Sequence, residues 1–294
     1  MYLVFFLYAL LASTFSIGKL LLGVLPPIFL IAIRMIISGA LLTSIWYFFY
    51  TDKKIRTADL WLFGMVVVFH ILFPFMSEYI ALQDMSPSSA CLLYNLSPFF
   101  SALFSYFIFD EKMTPKKWIG FSIGLAGIVW YVGSQQAIDV NVSWANVLML
   151  FSVITSSLGW IFVRLLVKNR GYSTMLVNGF AMLVGGLVAL PVSSIFEGPV
   201  DISFSQLPYI AGLLTIMILI TNVLFYNLYG YLLTKYTATF LSFVGFVTPL
   251  FSALFEWFFF GTMMSLNFIC TVSVVGIGIF IFYQEELKQG YISR

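Results

Sequence analysis

The sequence predicts an all-α polytopic membrane protein, with ten transmembrane helices arranged as two inverted five-helix repeats. The first observation is compositional. The 294 residues are 61% hydrophobic, 19% aromatic and only 9% charged, with a mean hydropathy of +1.02. Soluble domains carry about 25% charged residues, so most of this chain does not face water. The second observation is an internal repeat, which decides architecture before any local feature. Pro98–Thr114 reads PFFSALFSYFIFDEKMT, and Pro249–Ser265, 151 residues later, reads PLFSALFEWFFFGTMMS, with identity at nine of seventeen positions and no gap. The third is the distribution of Lys and Arg, which follows the helix count.

Apolar windows of about 20 residues mark spanning helices. They fall at 2–22, 27–50, 59–82, 87–109, 115–133, 143–167, 172–196, 206–233, 238–260 and 264–284. The first begins without a basic leader region or a convincing cleavage site, and it reads as a retained helix. Connections are short, and Pro26-Pro27, Ser86-Pro87, Thr114-Pro115 and Gly198-Pro199 mark turns or helix starts, where proline is tolerated. Lys53, Lys54 and Arg56 follow helix two, and Lys112, Lys116 and Lys117 follow helix four. Lys168 and Arg170 follow helix six, Lys235 follows helix eight, and Lys288 and Arg294 lie in the tail. The odd-numbered connections carry Asp84, Asp139, Glu197 and Asp201 and no Lys or Arg. Positive charge concentrates on the cytoplasmic side, so both termini are expected there. Five helices per half is an odd number, so the halves 1–133 and 143–284 enter the bilayer from opposite sides. Residues 134–142 form a short extracytoplasmic connector, and 285–294 a cytoplasmic tail. Inverted repeats are the arrangement of many secondary transporters, whose sites lie near the midplane.

The same numbers exclude other classes. A net charge of +2, with its basic residues in short loops, makes no nucleic-acid face. Cys91 and Cys270 lie in apolar segments and read as small hydrophobes rather than a disulfide or metal pair. No HExxH pair, close aspartate pair or GxxxxGK[ST] loop occurs, so neither an intramembrane hydrolase nor direct use of ATP is expected, and no cofactor.

In its motifs the chain resembles the EamA-type branch of the drug/metabolite transporter superfamily. The resemblance rests on Lys19, Arg34 in IAIRMII, Glu78–Thr114, and WIGFSIGLAGIVW (Trp118–Trp130) with Gly120, Gly124 and Gly127. In the second half it rests on Leu228–Gly261 and VVGIGIF (Val274–Phe280). It implies ten helices in two five-helix inverted repeats. Two departures stand out: Thr262 replaces the glutamate that usually follows Gly261, and the second half has no counterpart of Arg34 near Asn178-Gly179. The second suggests that the halves contribute unequally to a site.

Four charged residues fall in the outer half of the membrane: Lys19, Arg34, Glu78 and Glu256. A charge at the bilayer centre costs about 2.5–3.5 kcal/mol on insertion scales, which makes such residues functional candidates. Glu256 leads, because it replaces Ser105 of the first repeat and follows Thr248 and Ser252 at four-residue intervals, along one helical face. Snorkelling of Lys19 and Arg34, or pairing with Glu78, is the structural alternative. His70, the only histidine, is a candidate proton relay or a hydrogen-bonded structural group. Pro98 and Pro249 are expected to kink helices four and nine as matched gates. Tyr94, Asn95, Ser157, Trp160, Asn222, Tyr226 and Asn227 divide between helix contacts and a cavity wall able to stack on a flat or cationic ligand. Arg164 reads as a topology determinant and Asp110-Glu111 as the solvated end of helix four. The expected function is secondary active or facilitative transport, by alternating access, of a small polar metabolite: an amino acid or amino-acid-derived zwitterion, of which S-adenosylmethionine is a larger case. The alternative is a lipid or lipid-linked carrier flippase. The partners are a small solute, the bilayer of a bacterial inner membrane and, if transport is coupled, protons; oligomeric state is not legible.

Overall fold

The computed structural model describes residues 2–49, 55–85, 90, 93–134, 143–248, 250–251 and 266–291. Pro249 and Glu256 lie outside the described residues, as do Cys91 and Asp139. Regular structure among the described residues is helical, with no strand. In chain order the helices are α1 (Tyr2–Leu22), α2 (Pro27–Phe49), α3 (Thr57–Asp84), α4 (Ser97–Phe109), α5 (Pro115–Ser134), α6 (Trp144–Asn169), α7 (Thr174–Phe196), α8 (Phe204–Leu232), α9 (Ala238–Val247) and α10 (Leu266–Lys288). Seven of these segments are long and apolar enough to cross a bilayer, with α4 and α9 as shorter apolar helices. The protein is an integral membrane protein.

The helix ends follow local chemistry. Pro27 and Pro115 occupy first helical positions, where the missing N–H has no partner to lose. Ser143, Ser173 and Thr237 each accept the backbone N–H three residues on, a standard N-cap. The end of α4 turns through Asp110 at φ 54°, so that Glu111 N–H returns to the Ser105 carbonyl at 3.3 Å, satisfying an orphan acceptor. The expected fourth helix is broken. Leu93-Tyr94 is helical, Asn95-Leu96 is a turn, and α4 begins at Ser97. Pro98 therefore sits in a first turn and starts a helix instead of bending one.

Helices pair as α2 with α7, α5 with α10, α3 with α6, α1 with α8 and α4 with α9. Among the described residues three pairs come within backbone contact, α2–α7, α5–α10 and α3–α6, the last at Gly159. A Cβ on Gly39 of α2 would lie 2.2 Å from Leu183 N of α7, and one on Gly278 of α10 would lie 2.5 Å from Gly120 O of α5. Small residues permit this approach, which drives association where lipid offers no hydrophobic gain. Among the described residues two helices carry an interior π-helical turn: Val67–Leu72 in α3 and Ile218–Phe225 in α8. A third, Leu165–Asn169, ends α6.

Candidate functional site

A cavity bounded by α1, α3, α4, α6, α8 and α9 encloses roughly 850 Å³ of space, its open mouth included. One side is aromatic. Trp160 stacks on Tyr229 at 3.9 Å between centroids and 26° between planes, and meets Tyr226 in a tilted contact at 5.2 Å and 30°. Phe225 and Phe75 extend this wall. The other side is polar: Asn95, Ser97 and Ser101 from the α4 region, Ser157 from α6, and Ser242 and Thr248 from the α9 region. Asn95 Nδ2 is buried with no hydrogen-bond partner among the described residues, a donor left for a ligand. Among the described residues of the lining, Glu78 is the one carboxylate, and none is Lys or Arg.

Glu78 is held in place. Tyr94 OH donates to its Oε2 at 2.7 Å and lies 3.1 Å from Ser152 Oγ, which donates to the Pro74 carbonyl at 2.9 Å. Proline at position 74 leaves the carbonyl one turn earlier without its helical donor, and the Pro74 carbonyl itself anchors this chain. The carboxylate thus keeps one oxygen for the cavity.

Arg34 is fully buried behind this wall. Its Nε donates to Asn222 Oδ1 at 2.8 Å and its Nη1 to Tyr79 OH at 2.6 Å. The guanidinium lies over the Phe75 ring, 5.0 Å from its centroid. Nη2 has no hydrogen-bond partner among the described residues, and no carboxylate there lies within ion-pair distance of the group. A buried charge is tolerated only when hydrogen bonds replace its hydration, and Asn222 and Tyr79 begin that task. Asn222 is itself fixed by the sulfurs of Met35 and Met182 at 3.4 and 3.5 Å. Arg34 therefore joins α2, α3 and α8 and touches the cavity only through Phe75.

Lys19 lies elsewhere. Its ammonium donates to the carbonyls of Leu82, Gln83 and Met85 at the end of α3, which occupies all three of its donors. His70 is buried beside the aromatic wall, 4.3 Å from Trp160 and 5.1 Å from Tyr226 between ring centroids. Neither ring nitrogen has a hydrogen-bond partner among the described residues. Of the residues singled out from sequence, Glu78, Tyr94, Asn95, Ser157, Trp160, Tyr226 and Thr248 line one cavity, Arg34, Asn222 and His70 back it, and Lys19 is outside the lining. Tyr8, Thr14, Phe75, Tyr79, Thr221, Phe225 and Tyr229 were not singled out. Spacing offered a signal for some of them: Phe75 lies one turn before Glu78, and Tyr226 and Tyr229 lie one turn apart.

The charges expected in solvated loops are also partly internal. Glu111 is buried against Arg164, whose guanidinium lies 4.3 Å from the Phe109 centroid. Lys117 and Glu286 form a second buried ion pair, with Thr237 donating to the other Glu286 oxygen at 2.6 Å. The solvated reading of Glu111 fails because the end of α4 abuts α6, and a carboxylate between two helices needs a cation more than it needs the loop.

Apolar helices thus surround a polar, aromatic-walled cavity. The family model described as the EamA-like transporter family matches residues 1–133 and 143–284. The chain belongs to the EamA-like transporter family, within the drug/metabolite transporter superfamily. It is 29% identical over 292 residues to the "S-adenosylmethionine/S-adenosylhomocysteine transporter" of Chlamydia muridarum (strain MoPn / Nigg), covering 96% of this chain and 90% of the relative. It is 28% identical over 289 residues to the protein of the same name in Chlamydia trachomatis serovar D, covering 96% and 88%. With the "Uncharacterized inner membrane transporter YedA" of Escherichia coli (strain K12) the identity is 22% over 285 residues, covering 95% and 87%. A solved structure described as "Crystal structure of protein" superimposes with a TM-score of 0.71 at 20% identity, covering 97% of each chain, which speaks for the fold alone.

Proposed function

We propose that the chain carries a small amino-acid-derived metabolite with a cationic centre and a flat ring, of the S-adenosylmethionine type, across a bacterial inner membrane by alternating access. The observation that carries this reading is Glu78, the one carboxylate among the described residues of the lining, in the same cavity as the wall of Trp160, Tyr226 and Tyr229. A carboxylate attracts an ammonium or sulfonium group, and aromatic faces add cation–π attraction and stacking. Asn95 and the serine and threonine hydroxyls supply partners for a ribose and a carboxylate. The names of the chlamydial relatives point to the same solute class. Arg34 serves as a backing charge and Lys19 as a helix-end anchor; Glu256 is retained as a second carboxylate at the site.

The reading includes two inverted five-helix halves, α1–α5 and α6–α10, with both termini cytoplasmic. Three observations support it. The family matches at 1–133 and 143–284 coincide with the halves. The pairs α2–α7, α5–α10 and α4–α9 each join equivalent members, and α3–α6 and α1–α8 exchange under the same relation. The interior π-helical turns begin at Val67 and Ile218, separated by the offset that relates Pro98 to Pro249.

Counterflow of S-adenosylmethionine in proteoliposomes tests the function. Wild type is expected to exchange the solute, and Glu78→Gln and Trp160→Ala to lose about tenfold or more, since a contact to a charged group contributes about 1.5–3 kcal/mol. Absence of both thermal stabilisation and counterflow in wild type overturns the solute. Stabilisation by phospholipid alone replaces it with lipid translocation.

A further inference from the structure

The helices α3 and α8 occupy equivalent places in the two halves, and each carries an interior π-helical turn that begins at the equivalent position, six residues long in α3 and eight in α8. Their wide hydrogen bonds are explicit: Phe73 N–H reaches the Val68 carbonyl, and Tyr226 N–H reaches the Thr221 carbonyl, five residues back in each case. A π turn holds one residue more than an α turn, is uncommon, and recurs at functional sites. The third π turn closes the last turn of α6, and its register counterpart in α1 is ordinary α-helix.

Each interior π turn is also where one half grips the other. That of α8 presents Thr221, 3.2 Å from Thr14 of α1, and Asn222, which receives Arg34 of α2. That of α3 presents His70 to Trp160 and Tyr226. Beside it, a Cβ on Gly159 of α6 would lie 2.5 Å from the Phe69 carbonyl, and one on Gly185 of α7 would lie 2.7 Å from Ile71 Cγ2. Beyond each turn comes the stretch that lines the cavity: Phe75 and Glu78 in α3, Tyr226 and Tyr229 in α8. The two stretches lead to opposite ends of the bundle. The one in α3 leads toward Asp84, and the one in α8 toward Lys235.

We propose that these two π turns are a matched pair of pivots, one for each gate of the transport cycle. Passage from π to α expels one residue from the turn and rotates the helix beyond it by about 100°, the angle per residue of an α-helix. In α3 this swings Glu78 on the half of the cavity nearer Asp84; in α8 it swings Tyr226 and Tyr229 on the half nearer Lys235. The packed neighbours Gly159, Gly185 and Arg34 give each turn two discrete seatings rather than a continuum. The inference rests on the transporter reading and adds to it the place where the motion occurs.

Single-residue deletions that restore α register test it. Variants lacking Val68 or Leu219 are expected to bind S-adenosylmethionine within about threefold of wild type in detergent, while counterflow falls about tenfold or more, because a conformational step limits the rate. Deletion of Lys168, in the unpaired turn of α6, is expected to leave counterflow unchanged. Wild-type counterflow in the folded Val68 or Leu219 deletion overturns the proposal. A readout free of solute covers deletions that fail to fold and a wrong choice of solute. In nanodiscs, amides of Val67–Leu72 and Ile218–Phe225 in the wild-type protein are expected to exchange hydrogen about tenfold or more faster than the α turns adjoining them, as locally opening segments do. Exchange as slow as in the adjoining turns overturns the pivots, whatever solute the protein carries.

Discussion

The two ends of the bundle handle charge in different ways. At the end bearing the Lys- and Arg-rich connections, side chains pair with side chains: Lys117 with Glu286, Arg164 with Glu111, and Arg170 with Asp59. At the opposite end, charged side chains hold the termini of helices. Lys19 donates to the last carbonyls of α3. Glu197 accepts the first N–H groups of α2, those of Ile28 and Phe29, at 2.7 and 2.9 Å, and Ser193 Oγ donates to it at 2.8 Å. The signs are those the helix dipole requires, a cation at a C-terminus and an anion at an N-terminus. The difference teaches that composition decides the mode of compensation. Where loops are rich in cations, carboxylates are drawn inside to meet them. Where charges are few, the ends of helices are the remaining partners. Both modes also tie helices together: α5 to α10 and α4 to α6 at one end, α1 to α3 and α2 to α7 at the other.

The comparison makes graded predictions, each read by thermal unfolding in one detergent. Lys117→Ala is expected to have the largest effect, about 3–5 kcal/mol, because it leaves Glu286 buried without its cation. The double variant Lys117→Met/Glu286→Leu is expected to recover most of that loss; if it is as unstable as the single variant, packing rather than charge holds the pair. Arg164→Ala is expected to cost about 3 kcal/mol by the same reasoning, and Glu111→Gln with it to restore part. Glu197→Ala removes an anionic cap, for which about 1–2 kcal/mol is expected; a loss as large as that of Lys117→Ala would break the contrast between the ends. Arg170→Ala is expected to have the smallest effect, under about 1 kcal/mol, because Arg170 is 52% exposed and 3.4 Å from Asp59, so that solvent screens the pair, and the buried Asp59 keeps the Tyr172 hydroxyl as a donor at 2.8 Å.

Much of the fold was legible because hydrophobic length is a local property. The spans expected at 115–133 and 172–196 match α5 (Pro115–Ser134) and α7 (Thr174–Phe196) within two residues. Proline marked helix starts at Pro27 and Pro115 for the same local reason. At Pro98 the residue was legible and its consequence was not. Whether a helix bends at a proline or begins there depends on the preceding turn at Asn95-Leu96, which no period in the sequence announces. The site was legible in part. Glu78, Tyr94, Asn95, Trp160 and Tyr226 stood out as polar or amphipathic groups in apolar runs. Tyr8 and Tyr229 did not, since a tyrosine in an aromatic-rich helix is indistinguishable from packing until its neighbours are known. Glu111 was misread because its partner Arg164 is distant in the chain.

By itself the sequence determined that the chain lives in a membrane, where most of its helices lie, and which connections carry positive charge. These follow from the energetics of transferring each residue into lipid, which depend on that residue and its near neighbours. Only the tertiary structure decided that Glu78 faces a cavity while Arg34 backs it, that Lys19 binds backbone, that Lys117 and Arg164 are internal, and that α3 and α8 each contain a π turn. Those outcomes depend on which distant groups meet once helices pack, and a buried charge has no fixed role until its partner is known.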